Sequence, residues 1–327
     1  MTGTALCAAG VVLSTAGYFA GGKDFTYTSD HMYVSGGNSS SRKNLTVMKK
    51  EQIDDFSKLN VNFENFDLDI RTSDDDHYYM EYRLEKNGRK NPLTWKDKDG
   101  ELTLEEPAGG SGSYYITYDL GIFSTHADLT EKKDALNTVV LYIPEKAQLS
   151  EAELQLSDGD LAADQLLCKE MTLELLNGDL MLDKGEFEKF DAKLSDGDLN
   201  VKELQCTDNM QLKSGNGDVT IKKAELADGQ IALSDGDIQI DNSSFNGDMK
   251  INSSCGDVSV EMKNGSAEKT NIYLKATDGD VDTEGLSRGK TDNEEDTSVY
   301  ENKAGASAPT LNVECSDGDI TLTESEK

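Results

Sequence analysis

The residues with the clearest potential for chemistry are eight aspartates that recur at one place in a repeated turn. Each directly follows a glycine, in turns such as SDGDL, NGDL and SDGDI. The eight are Asp160, Asp179, Asp198, Asp218, Asp237, Asp257, Asp280 and Asp319. Carboxylate oxygens are ligands that Ca²⁺ prefers, so a column of these side chains could gather cations.

Two explanations for the aspartates are open at the level of the sequence. In the one that we favour, each carboxylate caps backbone N–H groups of its own turn, as Asx residues commonly do. In the other, the column binds Ca²⁺, although each repeat supplies one such aspartate and the full signature of Ca²⁺-binding β-rolls is absent. Like charges about 5 Å apart repel by roughly 1 kcal/mol even in water, so something must offset that repulsion. We therefore expect no catalytic residue, no cofactor and no metal, with Ca²⁺ as the alternative.

The aspartates belong to a repeat whose period is close to 20 residues. Leu, Val or Ile stands two positions after every repeat glycine, and polar and apolar residues alternate between the turns. The glycines are Gly159, Gly178, Gly197, Gly217, Gly236, Gly256, Gly279 and Gly318, at spacings of 19, 19, 20, 19, 20, 23 and 39 residues. Alternation is typical of half-buried strands, and a fixed period is typical of repeat architectures.

Two β architectures are compatible with this repeat. A meander of hairpins would turn at each Asx-Gly pair, but it would leave one apolar face uncovered because no helical sequence is available to cover it. A solenoid would place one period in each coil and stack the coils in parallel about 4.8 Å apart. The nearly constant spacing favours the solenoid. We therefore predict an all-β fold, a parallel β-solenoid or β-helix that is right-handed, as parallel crossovers generally are.

The chain divides into four segments by composition. Residues 2–22 carry no charge, and roughly 20 residues suffice for a helix that crosses a bilayer, so residues 1–22 are predicted to be an apolar helix serving as a transmembrane anchor or signal segment. Residues 23–50 resemble a polar linker. Residues 51–150 alternate as strands and are predicted to form the β-rich N-terminal part of the solenoid domain, covering one end. Residues 151–327 hold the repeats, with a polar insert near 282–310.

The five cysteines are predicted to form no disulfide framework. Cys168 and Cys206 share one repeat position two coils apart, about 10 Å, which exceeds the roughly 7 Å that a disulfide can bridge. Together with Cys315 they occupy apolar positions, so we predict that all three are core residues. Cys255 replaces the Asp or Asn of a turn, so we predict that it is exposed.

The charge of the chain excludes several classes of partner. The formal net charge is −31, and residues 151–327 alone hold 40 acids against 16 bases. Phosphates would be repelled, which argues against nucleic acid and against a surface of anionic lipid. Contact with a membrane is therefore expected through the N-terminal segment only.

Three features give the chain a resemblance to a known family. They are the uncharged segment that ends in Gly21-Gly22, the phrase NTVVLYIP at 137–144, and the serial SDGDL and SDGDI turns. On these features the chain resembles the bacterial putative-adhesin β-strand repeat family, a domain of unknown function that LiaG-like, membrane-anchored proteins of Gram-positive bacteria carry. The resemblance implies a β-helix-like domain held outside the cytoplasmic membrane, and it implies no established activity.

From these observations we expect a non-enzymatic, extracytoplasmic cell-envelope protein whose β-solenoid presents an adhesin-like surface interaction module. Its partner would be an unidentified envelope protein or a cell-wall polymer. One alternative is a membrane-anchored accessory of an envelope-stress or signalling system, and a second is a polysaccharide-acting enzyme built on a β-helix. The expected location is the extracytoplasmic face of the cell membrane, or the exterior if the N-terminal segment is cleaved.

Overall fold

A computed structural model describes residues 25–27, 32–34, 45–108, 136–283, 286, 289–294 and 296–326. The predicted apolar helix at residues 1–22 lies outside these ranges. Within them, no helix has both the length and the apolar character needed to span a bilayer. The prediction of an all-β fold is confirmed, because the described regular elements are strands apart from one short 3-10 turn at Ala267–Lys269.

The chain forms two compact units. The smaller comprises Met1–Thr46, Glu85–Pro92 and Ala108–Ala135, and in it β1 (Phe25–Tyr27) pairs antiparallel with β2 (Met32–Val34). The predicted polar linker at 23–50 therefore contains strands, because short apolar and aromatic runs interrupt its polar sequence. The larger unit comprises Val47–Leu84, Leu93–Pro107 and Leu136–Lys327. It contains all the Gly-Asp repeats.

The remaining strands, in chain order, are β3 (Leu45–Gln52), β4 (Lys58–Phe63), β5 (Asp67–Ser73), β6 (Tyr79–Glu85), β7 (Thr94–Lys98), β8 (Glu101–Glu105), β9 (Thr138–Pro144), β10 (Leu149–Asp158), β11 (Leu161–Asn177), β12 (Leu180–Asp196), β13 (Leu199–Asn216), β14 (Val219–Lys222), β15 (Ala224–Asp235), β16 (Ile238–Phe245), β17 (Met249–Cys255), β18 (Val258–Met262), β19 (Asn271–Thr277), β20 (Val281–Asp282), β21 (Lys290–Glu294), β22 (Thr297–Asn302), β23 (Thr310–Asp317) and β24 (Ile320–Glu324).

Successive repeats stack in parallel, each on the next. β11 pairs with β12 so that Leu161 lies opposite Leu180, and β12 pairs with β13 so that Leu180 lies opposite Leu199. Partners are thus one period apart in sequence. The antiparallel meander is excluded for these strands.

Each coil has three sides, which the alternation of buried residues reveals. In β11 the pattern changes phase twice, where Asp164–Gln165 and Lys169–Glu170 all avoid the core. The buried residues of β11 fall into three groups: Leu161 and Ala163 on the first side, Leu166 and Cys168 on the second, and Met171, Leu173 and Leu175 on the third. Each long strand therefore bends at two corners, and the Gly-Asp turn makes the third.

Compared with the 19-residue periods, the 20-residue periods have one extra residue, which lies at the corner between the second and third sides. Phe187 lies opposite Cys206, an offset of 19, whereas Lys189 lies opposite Asn209, an offset of 20, and a register irregularity separates the two pairs. The Gly-Asp turns stay in register because the extra residue bulges outward at a different corner. Repeats of 19 and of 20 residues can thus stack with their Gly-Asp turns in register.

The interior consists of apolar ladders that run from coil to coil. Leu161, Leu180 and Leu199 are each no more than 2% exposed, and the rings of Phe187 and Phe190 stack with centroids 4.9 Å apart. The predicted core positions are confirmed, because burial removes the apolar side chains from water at the positions that the repeat pattern indicates.

The four cysteines within the described ranges lie where the sequence predicts them. Cys168, Cys206 and Cys315 are free and buried, and Cys255 is free and exposed. Burial raises the pKa of the Cys168 thiol to about 12, so this thiol stays protonated and behaves as a small apolar core residue.

Strands that precede the repeats continue the same stack. β4 and β5 pair in parallel with β10 and β11, and β8 and β9 pair in parallel with β4 and β5. At this end β7 adds antiparallel to β8, and β6 adds antiparallel to β9. A change from parallel to antiparallel pairing thus terminates the stack of coils.

The last repeats do not stack in chain order. β23 pairs in parallel with β17 on one side and with β19 on the other, and β24 likewise lies between β18 and β20. The turn at Gly318 therefore lies between those at Gly256 and Gly279. The predicted polar insert near 282–310 contains β21 and β22, which pair antiparallel and extend outward from β19.

This order of coils predicts which engineered cysteine can reach Cys255. Asp317 is paired with Cys255 across the parallel register, at a Cα separation of about 5 Å, whereas Asp278 is one coil further away, at about 10 Å. In a Cys7→Ser background, mild oxidation should close a disulfide in Asp317→Cys and none in Asp278→Cys, because a disulfide spans at most about 7 Å. Mass spectrometry under non-reducing conditions distinguishes the two. A disulfide in Asp278→Cys alone would show that the coils stack in chain order.

Candidate functional site

The Gly-Asp turns of neighbouring coils lie in direct backbone contact. A Cβ atom added to Gly197 would lie 2.1 Å from the carbonyl oxygen of Gly178, and one added to Gly178 would lie 2.2 Å from that of Gly159. Gly197 also has φ +139°, a value that residues with a side chain rarely adopt. The turn therefore requires glycine for space as well as for conformation.

The aspartates after these glycines form one hydrogen-bonded column, which we call the aspartate column. The backbone N–H of Asp179 donates to Oδ1 of Asp160 at 2.9 Å, and that of Asp198 donates to Oδ1 of Asp179 at 2.9 Å. The same bond, at 2.8–2.9 Å, links each remaining member to the one before it, in the order Asp218, Asp237, Asp257, Asp319 and Asp280. All eight predicted residues are thus brought together.

The carboxylates cap the neighbouring coil and not their own turn, which corrects the capping interaction that we expected from the sequence. The N–H groups of Gly178 and Leu180 donate to the backbone carbonyls of Asp196 and Asp198, both in the following coil. The N–H of the intervening aspartate points the other way, toward the preceding coil, where a carboxylate accepts it. Each column carboxylate except that of Asp280, which ends the column, therefore supplies an acceptor that the backbone lacks, and the charge strengthens the bond.

The column has a ninth member that the repeat motif does not reveal. The N–H of Asp160 donates to Oδ1 of Asp67 at 3.0 Å, and the hydroxyl of Thr138 donates to Oδ2 of Asp67 at 3.3 Å. Phe66 replaces the glycine in this turn, so the Gly-Asp pattern fails here. The only sequence signal is the pair Asp67-Leu68, which matches the Asp-Leu pair of the repeats.

A second column is formed by the residues that precede the repeat glycines. In four successive turns these are Asp158, Asn177, Asp196 and Asn216. Asn177 Nδ2 donates to Asp158 Oδ1 at 2.7 Å, and Asn216 Nδ2 donates to Asp196 Oδ1 at 2.7 Å. Alternation of amide and carboxylate therefore turns adjacent side chains into hydrogen-bonded pairs where like charges would repel.

The geometry gives the aspartate column a structural role. In the ranges that the structure describes, no group of three or more His, Cys, Asp or Glu side chains is placed to hold a metal ion. One oxygen of each column carboxylate except that of Asp280 accepts a hydrogen bond from an N–H group. The column forms a regular acidic edge, in which Asp160 and Asp179 are half-buried and the other six aspartates are exposed.

A cavity of about 430 Å³ lies at the far end of the stack, beside β19 and β22. Asn271, Tyr273 and Asn302 are among its lining residues. The amide of Asn271 donates to the carbonyl oxygens of Gly305 and Ala308. Asn271 thus fastens the loop that leads into β23, and its amide nitrogen is committed to that loop.

Comparison with known proteins gives one family and several solved structures. A family model described as Toastrack DUF4097 matches residues 56–323. No curated protein sequence matches the chain. A putative adhesin from Parabacteroides merdae ATCC 43184 is 14% identical, over 86% of this chain and 97% of that chain, with a TM-score of 0.48.

Two further solved structures are similar to the chain. A putative cell adhesion protein from Clostridium sporogenes ATCC 15579 is 17% identical, over 86% of this chain and 100% of that chain, with a TM-score of 0.25. A putative lipid binding protein from Parabacteroides distasonis ATCC 8503 is 12% identical, over 88% of this chain and 98% of that chain, with a TM-score of 0.43.

The contact between turn glycines predicts a large difference between two Gly→Ala substitutions. Gly197→Ala would place a methyl group against a backbone oxygen that cannot move, so we expect the free energy of unfolding to fall by about 3 kcal/mol or more. Gly265 also has a positive φ, of +75°, but nothing lies within 4 Å of its added Cβ. Gly265→Ala should therefore cost only about 1 kcal/mol, for backbone strain. Urea unfolding curves measure both, and equal losses would contradict the close contact.

Proposed function

The chain belongs to the Toastrack DUF4097 family, and on that premise we propose that it is a non-enzymatic cell-envelope protein that presents a surface interaction module outside the cytoplasmic membrane. The module is the larger unit, a parallel β-solenoid that we propose to be right-handed. The parallel offset of one period between successive strands supports this architecture.

The observation that carries the proposal is an unbroken row of outward side chains on the third side of the coils. Ten strands contribute one residue each, every residue paired in register with the next, and none is buried. In order along the stack the row is Thr103, Asn60, Glu153, Thr172, Asp191, Gln211, Gln230, Lys250, Asn312 and Tyr273. We call it the third-side row.

The third-side row has the properties of a surface for an extended ligand. Its side chains are amides, hydroxyls and charged groups, which supply hydrogen-bond donors and acceptors at intervals of about 4.8 Å over about 43 Å. Because hydrogen-bonded backbone fixes those intervals, a polymer lying along the row meets similar polar groups in coil after coil. Repeated weak contacts of this kind add up to avidity without a deep pocket.

Charge narrows the class of partner. The formal net charge of −31 disfavours anionic polymers, because like charges repel. We therefore propose a neutral or cationic cell-wall polymer as the ligand, with an envelope protein as the alternative. We also propose that binding needs no metal, because in seven of the eight carboxylates of the aspartate column one oxygen accepts a hydrogen bond from an N–H group. Residues 1–22 would hold the protein at the membrane or direct its export.

Binding of the full chain to insoluble bacterial cell-wall fractions tests this function. A triple variant on the third-side row, Thr172→Ala with Gln211→Ala and Gln230→Ala, should lose at least tenfold in affinity. A matched triple on the first side, Asn200→Ala with Thr220→Ala and Gln239→Ala, should bind as the parent does, because these residues are paired in register but lie on another side.

The same assay tests whether binding needs a metal ion and whether the protein cleaves the polymer. Binding should be equal with excess chelator and with millimolar Ca²⁺ at constant ionic strength. A Ca²⁺-dependent gain would show that the aspartate column holds cations. Absence of binding, or equal binding by both triple variants and the parent, would contradict the proposed surface, and release of soluble sugar from the wall fraction would support an enzyme in its place.

A further inference from the structure

Two tyrosine rings at the N-terminal end of the stack hold the ammonium group of a lysine. Tyr79 on β6 and Tyr142 on β9 are directly opposite each other in the antiparallel register. Lys50 Nζ lies 3.7 Å from the centroid of the Tyr142 ring and 4.8 Å from that of the Tyr79 ring. Both distances are within the range of about 6 Å over which a cation is attracted to an aromatic face. We call Tyr79 and Tyr142 the tyrosine cage.

Carboxylates fix both rings of the tyrosine cage. The Tyr142 hydroxyl donates to Glu81 Oε1 at 2.6 Å, and the Tyr79 hydroxyl donates to Asp75 Oδ2 at 2.7 Å. Burial, with the hydrogen bond to Glu81, raises the pKa of Tyr142 to about 12. The hydrogen bond to Asp75 raises the pKa of Tyr79. Both phenols therefore stay neutral, and two negative charges stand beside the aromatic faces.

The charges around the tyrosine cage favour a bound cation. The guanidinium of Arg71, which also interacts with Tyr142, is paired with Asp69 through two hydrogen bonds of 2.7 and 3.0 Å to one oxygen. Its charge is thereby largely compensated. No ion pair among the described residues involves Lys50, so the two rings are the principal partner of its ammonium group.

The occupant of the tyrosine cage is open to exchange. Lys50 is exposed on β3, whereas Tyr79 and Tyr142 are half-buried and adjacent in sequence to the buried residues Met80 and Leu141. The receptor part is thus fixed by the core, and the bound group sits at the end of a flexible side chain that solvent reaches. Lysine holds an ammonium at the end of four methylene groups, so any ligand with an alkylammonium terminus presents the same group.

We propose that the tyrosine cage is an ammonium-binding site, that Lys50 is its resident and exchangeable occupant, and that its ligand class is an alkylammonium group carried by a partner. Aromatic faces bind quaternary ammonium ions best, because these are less strongly hydrated than primary ones. The strongly negative field of the protein draws cations toward this surface. The site does not depend on polymer binding along the third-side row, which lies on another side of the coils.

Lys50 competes with any such ligand as a tethered group, at an effective concentration on the order of millimolar. Removal of its charge should therefore expose the site. Lys50→Met keeps an unbranched side chain that is one atom shorter and removes the ammonium. Lys49→Met is the matched control, because Lys49 is an equally exposed lysine on the same strand but is not the residue that the rings contact.

Titration of the full chain with choline chloride tests the proposal, with ring signals of labelled tyrosines followed by NMR and sodium chloride as the ionic-strength control. Lys50→Met should bind choline at least tenfold more tightly than the parent or Lys49→Met, and adding Tyr142→Leu should abolish that binding. A second series with Nα-acetyl-lysine methylamide distinguishes a primary ammonium, as in a peptide, from a quaternary one.

In the parent protein, the ε-methylene signals of Lys50 should start shifted by the ring currents and move toward free-lysine positions as choline saturates. This measurement does not rely on the folding of any variant. The titration of Lys50→Met extends to about 100 mM choline, far above the effective concentration of the tethered Lys50 ammonium. If the NMR signals of the tyrosine rings show no saturable change over this range, Lys50 only fastens β3 to the stack. Unchanged Lys50 signals in the parent would overturn the exchange.

Discussion

The stack depends on the contact between the backbones of neighbouring Gly-Asp turns. The carbonyl oxygen of Gly178 occupies the space in which Gly197 would carry a Cβ, so the coils approach closely at this edge only if glycine is present. That approach leaves the N–H of the following aspartate without a backbone acceptor. An unpaired N–H costs about 1–3 kcal/mol when it is shielded from water, and the carboxylate of the preceding coil supplies the missing bond. Close stacking of the turns therefore requires both residues: glycine to allow the approach and aspartate to supply the missing acceptor.

The same bonds explain how an acidic chain tolerates a column of like charges. Repulsion between exposed carboxylates about 5 Å apart is roughly 1 kcal/mol in water and is screened by salt, whereas a hydrogen bond to a charged group contributes about 1.5–3 kcal/mol. The hydrogen bond exceeds the repulsion at each step. Because the edge keeps the coils in register, the opposite sides present their polar residues at a constant pitch, and this regularity is the property that the proposed interaction surface uses.

The sequence predicts the period, the buried ladder that includes Leu161, Leu180 and Leu199, and the burial of the core cysteines, because these depend on the spacing of apolar residues alone. It does not predict that the Gly318 coil lies between the Gly256 coil and the Gly279 coil along the stack. The reason is that β19 and β23 carry equivalent apolar patterns, so either strand fits against β17. The sequence also does not predict that each aspartate carboxylate accepts from the neighbouring coil, because a pattern of residue types does not show which way a side chain points. The two rings of the tyrosine cage and Lys50 lie on three strands that are far apart in sequence, and only the fold brings them together.

The protection of one amide against hydrogen exchange tests the interlocking of the coils most directly. The N–H of Asp218 donates to Asp198 Oδ1 at 2.8 Å. In Asp198→Asn, which keeps the acceptor oxygen, this amide should remain protected, whereas in Asp198→Ala it should exchange about tenfold faster or more, as expected for the loss of a bond that contributes roughly 1.5 kcal/mol or more. Equal protection of the Asp218 amide in the parent and in Asp198→Ala would show that the carboxylate does not hold the coils together.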